Sequence, residues 1–139
     1  KRTQRSSGRW SLEGMQPERF IDQARRERRF EIDATRQQFR LFRDGEPVSE
    51  GPLAPGSQDR LALFFELALR AHRQGGRFTT EPWTVPVMGH QGAEPWRFVW
   101  TGAERLETPA GLLLTQRLKR EPRDPEDTRM SLWLHEALG

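Results

Sequence analysis

The sequence predicts a mainly β domain with an α+β leaning, in which antiparallel strands follow one another as a meander and one helix, at about 57–73, covers the sheet. Two observations predict this class. Several short segments alternate between apolar and polar residues, which is the pattern of strands with one buried face. One segment, after a Pro- and Gly-rich break at 51–56, instead repeats its apolar residues at helical spacing.

The N-terminal end differs in character from the rest. Residues 1–9 are polar and basic and show no periodicity, so we expect a flexible N-terminal segment there. A short strand candidate follows at 10–13. Residues 10–139 are expected to form a single β-rich domain, because a chain of 139 residues suffices for one domain and not for two.

Two alternating segments predict neighbouring strands in the first half. Residues 28–33 place Phe30 and Ile32 on an apolar face, and residues 37–43 place Phe39 and Leu41 on another. A turn between the two segments would bring these faces to the same side of the sheet. We therefore expect these four side chains to face inward.

A hairpin turn is predicted after the second of these strands. Asp44-Gly45 is a strong signal for a two-residue turn, because both positions require positive φ and these residue types adopt it readily. Residues 46–50 are then expected to return as a short strand. Pro47 marks either an edge strand or the start of that strand, because proline has no amide proton to donate to a ladder.

A helix is predicted from residue 57 to residue 73. Ser57 can cap it, since its hydroxyl can accept from the free amides of the first turn, and Asp59 suits the helix dipole. Gly75-Gly76 is expected to end it. The predicted apolar stripe consists of Leu61, Phe64, Phe65, Ala68 and Leu69, widened by Leu63 and Leu67, and the predicted solvent face of Glu66, Arg70 and Arg73. We expect the whole stripe to be buried against strands.

The second half returns to strands. Residues 83–87 are a strand candidate, residues 88–92 a turn, and residues 108–111 a second turn. Residues 112–120 and 128–134 are expected to pair as an antiparallel hairpin. Its loop must then keep Pro122 and Pro125 outside the ladder. The chain stops after this hairpin without a closing element, which is typical of a fragment of a larger sheet.

The composition excludes several classes of site. The chain has no cysteine, which excludes disulfides, zinc thiolate sites and cysteine nucleophiles. No apolar run reaches the length of a membrane span. The net charge is +3, with the excess of Lys and Arg concentrated in residues 1–43.

No catalytic, cofactor-binding or metal-binding pattern is present. His72, His90 and His135 lie far apart and lack metal-ligand spacing. Ser57 and Asp59 resemble a hydroxyl–carboxylate pair, but no histidine accompanies them and helix capping explains both. The acidic run at 124–127 is interpreted as a charged turn. The arginine run at 25–29 is interpreted as a solvated strand approach, since no aromatic residue interleaves it.

One aromatic group is the candidate ligand surface. Alternation at 96–100 puts three aromatic side chains on one face, and a fourth lies on the preceding strand candidate. The group is either an aromatic core under the helix or the lining of a pocket for an apolar ligand. Its members are Trp83, Trp96, Phe98 and Trp100.

Four stretches, in the order in which they occur, resemble the exported bacterial family known as domain-of-unknown-function family 3108. They are Gly51-Pro-Leu-Ala-Pro-Gly-Ser-Gln-Asp-Arg-Leu61, Glu94-Pro-Trp-Arg-Phe-Val-Trp100, Leu106-Glu-Thr-Pro-Ala-Gly111 and Ser131-Leu-Trp-Leu-His-Glu-Ala-Leu-Gly139. The resemblance covers roughly residues 10–139. It implies a meander curled into a partial barrel, truncated here at both ends, and a periplasmic or exported location. It implies no activity and carries over no functional residue.

The sequence therefore predicts a non-enzymatic exported or periplasmic protein without cofactor, whose sheet binds an apolar ligand or an envelope partner. The alternative is a basic module that binds nucleic acid or an anionic polymer through residues 1–29, where arginines are concentrated.

Overall fold

The computed structural model describes residues 1–11, 13–89, 92–127 and 129–135. Within them the chain is mainly β, with two antiparallel sheets and one helix, which confirms the predicted fold class. The chain divides into two compact units, a first unit of residues 1–66 and 85–95 and a second unit of residues 67–84 and 96–139. The elements are β1 (Thr3–Ser11), β2 (Gly14–Gln23), β3 (Glu27–Asp33), β4 (Gln38–Arg43), β5 (Glu46–Pro52), α1 (Ala62–Arg73), β6 (Trp83–Gly89), β7 (Gly92–Thr108), β8 (Gly111–Glu121) and β9 (Ser131–Leu134).

Strands β1 to β5 form a five-stranded meander in chain order. Each strand pairs antiparallel with the next, so short turns connect them all. The alternating apolar positions lie on one face, which confirms the predicted inward positions of β3 and β4. The core of the first unit consists of Phe20, Phe30, Phe39, Leu41, Leu53 and Met88, with Ile32, Leu61 and Ala93 packed against it.

The turn between β4 and β5 is the predicted two-residue hairpin turn. Asp44 has a φ of 49° and Gly45 a φ of 83°, so both lie in the left-handed region that matches the twist of the strands. Asp44 also accepts a hydrogen bond from the Glu27 amide through its carboxylate, at 2.9 Å. Pro47 lies in β5, an edge strand, as expected for a residue that cannot donate to a ladder.

The N-terminal segment differs from the sequence prediction. Residues Thr3–Ser11 form β1, which pairs along its length with β2, and neither β1 before Trp10 nor β2 shows the alternation that predicts a strand. The reason is that β1 is an edge strand with mostly exposed side chains, so backbone hydrogen bonds hold it. An ion pair adds to them, since the Arg2 guanidinium donates to both oxygens of the buried Asp22 carboxylate at 2.9 and 2.7 Å.

The helix begins later than predicted and has a different cap. It spans Ala62–Arg73, and the Asp59 carboxylate accepts hydrogen bonds from the amides of Leu61 (2.9 Å) and Ala62 (2.8 Å). Ser57 instead donates its hydroxyl proton to the Ala54 carbonyl. The predicted end is confirmed, because Gly75 and Gly76 both have positive φ and their amides bond back to carbonyls of the last helical turn.

The predicted faces of the helix are wrong at Phe64, Phe65 and Glu66, whereas the predicted burial of Leu63 and Leu67 is confirmed. Phe64 is 39% exposed and Phe65 66% exposed, whereas Leu63, Leu67 and even Glu66 are buried. The cause is that apolar residues occupy nearly every position at the start of α1, so the pattern fits more than one orientation. The charge of Glu66 predicts a position in solvent. In the structure the side chain is buried, and the backbone amide of Met15 donates a hydrogen bond to its carboxylate.

Strands β6 to β9 form the second sheet in chain order. The Thr108–Gly111 turn joins β7 and β8, with these two residues paired opposite each other. Strands β8 and β9 pair antiparallel, and both loop prolines, Pro122 and Pro125, lie outside the ladder, which confirms the predicted C-terminal hairpin.

Some predicted features lie outside the described residues. They are Leu12 of the first strand candidate, His90 and Gln91 of the turn at 88–92, Thr128 at the start of the last strand candidate, and residues 136–139. In the part of the chain that the structure describes, no helix has both the length and the apolar character needed to cross a membrane.

The orientation of α1 can be tested by a pair of substitutions. Leu63→Ala should lower the free energy of unfolding by about 2–5 kcal/mol, because the side chain is fully buried and its loss leaves a cavity. Phe65→Ala removes a more exposed side chain and should change that free energy by only about 0.5 kcal/mol or less. Denaturant unfolding measures both. A larger loss for Phe65→Ala than for Leu63→Ala would contradict this orientation.

Candidate functional site

The sequence-predicted aromatic group is only partly accessible. Trp96 and Phe98 on β7 are buried, with 5% and 1% of their surface exposed. Trp83 and Trp100 are half-buried, and the ring of Phe78 lies between them, with centroids 5.4 Å from Trp83 and 6.3 Å from Trp100. Trp100 also donates its indole proton to Gln116. Two of the four residues thus belong to the interior of the second unit, and Phe78 bridges the other two.

A buried arginine covers part of this aromatic group. The Arg120 guanidinium lies 3.8 Å from the centre of the Trp96 ring and is fully buried. It donates to both carboxylate oxygens of Asp127, at 3.1 and 2.8 Å, and Asp127 also accepts from the Arg123 amide. The acidic turn at 124–127 is therefore tied to the sheet by an ion pair, which agrees with its interpretation as a charged turn.

A small cavity of about 210 Å³ lies in the second unit. His72 and His135 both line it, although they lie far apart along the chain. The His135 Nδ1 donates to the Leu114 carbonyl at 2.8 Å, which orients the ring. Among the described residues no group of histidines and carboxylates could hold a metal ion.

The larger site is a groove of about 890 Å³ in the first unit, which we call the hairpin groove. Strands β1 and β2 and the start of α1 line it. Three of its aromatic side chains face solvent, with 74% of Trp10, 39% of Phe64 and 66% of Phe65 exposed. The remaining lining residues are Gln4, Arg5, Ser6, Ser7, Gly8, Arg9, Met15, Gln16, Pro17, Arg19, Ile21, Leu61 and Ala62.

The register of the β1–β2 hairpin places Trp10 in the groove. The register shifts between Ser7 and Gly8, and beyond the shift Trp10 pairs directly opposite Met15. Only glycine fits at the shift, because a Cβ on Gly8 would overlap the Gln16 carbonyl oxygen. The two strands therefore approach closely at this position.

Three polar side chains join the hairpin to the start of the helix. The buried Gln58 side chain donates to the Met15 carbonyl at 2.7 Å, and the Glu66 carboxylate accepts from the Met15 amide at 2.9 Å. The Ser6 hydroxyl donates to the Asp59 carboxylate. Gly14 permits the Glu66 contact, since a Cβ there would lie 2.8 Å from a Glu66 oxygen. These bonds fix the two walls of the hairpin groove against each other.

Arginines give the hairpin groove a positive charge. Arg5, Arg9 and Arg19 line it, and no Asp or Glu is among its described lining residues. Arg9 forms an ion pair with Glu18 at 3.1 Å. Neither Arg5 nor Arg19 forms an ion pair with another described residue.

The arginine run at 25–29 has a different environment. Arg28 lies 3.5 Å from the Asp22 carboxylate, and Arg29 forms an ion pair with Glu31 at 3.2 Å. Arg29 also stacks on the Phe42 ring, 4.4 Å from its centre. These contacts agree with the interpretation of the run as part of a strand and its approach.

Sequence patterns could not identify the hairpin groove. They predict that Trp10 lies in a short strand and that Phe64 and Phe65 lie in the core. One feature of the sequence indicates that some apolar residues of α1 must be exposed. They occupy more of the helix circumference than a helix can bury against one sheet. Comparison with known proteins adds no relative: no family model, no curated protein and no solved structure matches the chain.

The cap of α1 predicts a pH dependence of stability. Burial raises the pKa of Asp59 above its ordinary value of 3.8, against the opposing hydrogen bonds from Ala62, Ser6 and Leu61. The folded state then holds the proton more tightly than the unfolded chain, so the stabilisation is full below about pH 4 and is lost as the pH rises through the folded pKa.

Asp59→Asn keeps the cap and removes this titration. We expect the difference in free energy of unfolding, wild type minus variant, to fall as the pH is raised from about 4. Denaturant unfolding at several pH values measures this difference. A difference that grows with pH would show that the hydrogen bonds lower the pKa of Asp59 more than burial raises it.

Proposed function

We propose that the protein is a non-enzymatic binding protein that takes up an apolar ligand in the hairpin groove. The observation that carries the proposal is the exposure of Trp10, Phe64 and Phe65 around one concavity. Large aromatic side chains that face water together mark binding sites more often than structural surface. The groove volume of about 890 Å³ lies within the range of about 300–1,000 Å³ that is typical of small-molecule sites.

The proposed site differs from the aromatic group that the sequence singles out. Trp96 and Phe98 are buried, so a ligand could reach them only if the second unit rearranged. The hairpin groove needs no such rearrangement. Its walls are held by hydrogen bonds through Gln58, Asp59 and Glu66, which supports a preformed site.

The chemistry of the lining supports binding without catalysis. No histidine and no carboxylate is among the described residues that line the hairpin groove, so a general base is lacking there. The nearest hydroxyl–carboxylate pair is Ser6 with Asp59. Asp59 is fully buried, and its carboxylate is engaged by the two amides of the helix cap.

The second candidate function is a basic module that binds nucleic acid or an anionic polymer through residues 1–29. In its favour, the hairpin groove is lined both by the arginines Arg5 and Arg19 and by exposed aromatic residues, and single-stranded nucleic acid binds to basic surfaces that carry aromatic residues. Affinity for a polyanion rises with the number of phosphates that the protein neutralises. This function ranks second because several other arginines of the segment are already paired with carboxylates, namely Arg2, Arg9, Arg28 and Arg29.

A periplasmic or exported location is part of the same proposal. Its support is the resemblance of four sequence stretches to an exported bacterial family. Cell fractionation of the full-length gene product tests it, with recovery in the periplasm expected.

Binding to the hairpin groove can be tested with the neutral fluorescent probe N-phenyl-1-naphthylamine. We expect the wild-type protein to enhance its fluorescence, and the double variant Trp10→Ala/Phe65→Ala to lose most of that effect, because it removes two exposed walls of the groove. Trp133→Ala is the matched control, since Trp133 is also exposed, at 42%, but lies on β9 in the second unit.

The outcome separates the two candidate functions. Unchanged probe binding by the double variant, with an unchanged unfolding midpoint, would place the apolar site elsewhere. No probe binding by the wild type, together with salt-sensitive binding of a single-stranded oligonucleotide, would favour the basic module.

A further inference from the structure

We infer that the ligand of the hairpin groove is an extended peptide in which acidic and apolar residues alternate, and which pairs with the outer edge of β1 as an additional strand. This inference rests on the proposed function and specifies the chemistry of the ligand. It assigns the apolar side chains of the peptide to the aromatic wall of the groove. It assigns the acidic side chains to the opposite face of the sheet, beside arginines of β1.

The outer edge of β1 is open to a further strand. Among the described residues β1 is the first strand of its sheet, and its neighbour is β2 alone. The register shift leaves Glu18 of β2 unmatched, so β1 itself runs without interruption over Thr3–Ser11. An unpaired strand edge presents free amide and carbonyl groups, and an extended peptide can bind to them by strand addition.

The other edge of the same sheet is less suited to strand addition. It is formed by β5, which contains Pro47 and Pro52, and neither residue has an amide proton to donate to a further strand. β1 contains no proline, and all its residues except Gln4 are exposed. The edge at β1 is therefore the one that can accept another strand along its whole length.

The hairpin groove follows the edge of β1. Seven consecutive residues of this strand, from Gln4 to Trp10, line the groove. Neighbouring side chains of a strand point to opposite faces, so a groove on one face would be lined by every second residue only. Lining by every residue is expected of a groove that runs along the backbone of an edge strand.

The two faces of β1 differ in chemistry. Ser6 and Trp10 lie on the face turned to the helix, because the Ser6 hydroxyl binds Asp59, the cap of α1. Arg5 and Arg9 lie on the opposite face, since strand residues alternate. The side chains of an added strand alternate in the same way. One set therefore contacts the exposed aromatic rings of the groove, and the other set lies beside the two arginines.

The charge of β1 favours acidic residues in the added strand. The strand contains Arg5 and Arg9 and no acidic residue. Arg5 forms no ion pair with another described residue, and Arg9 remains largely exposed although it binds Glu18 at 3.1 Å. Opposite charges that face each other across a ladder stabilise the pairing of two strands. Carboxylates opposite these arginines therefore add to the backbone hydrogen bonds.

The same charges disfavour two other occupants of the edge. In an antiparallel pair of two β1 strands centred on Ser7, Arg5 of each copy would lie opposite Arg9 of the other, and like charges so placed are destabilising. A nucleic acid could neutralise the arginines, but it has no peptide groups to pair with the strand edge. A peptide of alternating acidic and apolar residues matches the edge and both faces together.

The test uses the nonapeptide Val-Glu-Phe-Glu-Val-Glu-Phe-Glu-Val with blocked termini, whose side-chain order is the same in both directions. One control peptide carries lysine at the four glutamate positions. The other has the same composition as the test peptide in the order Val-Val-Phe-Phe-Val-Glu-Glu-Glu-Glu, which destroys the alternation. At neutral pH and low salt, we expect isothermal titration calorimetry to show roughly tenfold tighter binding of the test peptide than of either control.

Three protein variants locate the bound peptide. Arg5→Glu should remove the preference for glutamate over lysine. Arg43→Glu is the matched charge reversal and should retain that preference, because Arg43 is exposed in the same unit but does not line the groove. Trp10→Ala should weaken binding of the glutamate and lysine peptides by a similar factor, since it removes an apolar contact and leaves the charged face unchanged.

Amide hydrogen exchange tests the backbone pairing itself. The test peptide should slow the exchange of amides in β1, because the amides on its outer edge gain hydrogen-bond partners. A ligand held through side chains alone would give these amides no new partner.

Contrary results separate the inference from the proposed function. Equal binding of the test peptide and either control, or unchanged exchange in β1, would overturn the inference. The proposed function would then stand if N-phenyl-1-naphthylamine still bound through Trp10 and Phe65, and would fail if the probe did not bind. Displacement of the peptide by a short single-stranded oligonucleotide at equal concentration would also overturn the inference, in favour of the basic module.

Discussion

The buried polar contacts between the β1–β2 hairpin and the start of α1 are the constraint on which the first unit depends. Glu66 and Gln58 bind the two backbone groups of Met15, and Asp59 binds Ser6 as well as the helix amides. A buried carboxylate is costly unless hydrogen bonds compensate it, so these side chains require the hairpin to stay in place. In return, the hairpin gains an anchor that its own exposed side chains could not provide.

This anchoring explains why the helix exposes its aromatic residues. If Glu66 must face the hairpin, Leu63 and Leu67 face inward with it at helical spacing, and the phenylalanines are turned outward. The polar network thus sets the rotation of the helix start. The exposed rings and the β1–β2 ladder then form the two walls of one groove.

The second unit also buries a charged side chain, and a different pair of groups compensates its charge. Arg120 is fully buried and lies against Trp96, with its charge neutralised by Asp127. An arginine can lie in an interior when its guanidinium stacks on an aromatic face and forks onto a carboxylate. The aromatic residues of β7 are therefore largely enclosed, which leaves the hairpin groove of the first unit as the more accessible apolar surface.

The sequence by itself determined the fold class, strands β3, β4, β6 and β8, and the hairpin turns at Asp44-Gly45 and at 108–111. These features depend on local alternation and on backbone preferences of a few residues, which a sequence displays directly. Tertiary structure alone decided strands β1 and β2, the rotation of α1 and the position of the groove. The physical reason is distance along the chain: Glu66 is compensated by the amide of Met15, and Asp59 by the hydroxyl of Ser6. No local pattern records a hydrogen bond between residues that lie about fifty positions apart.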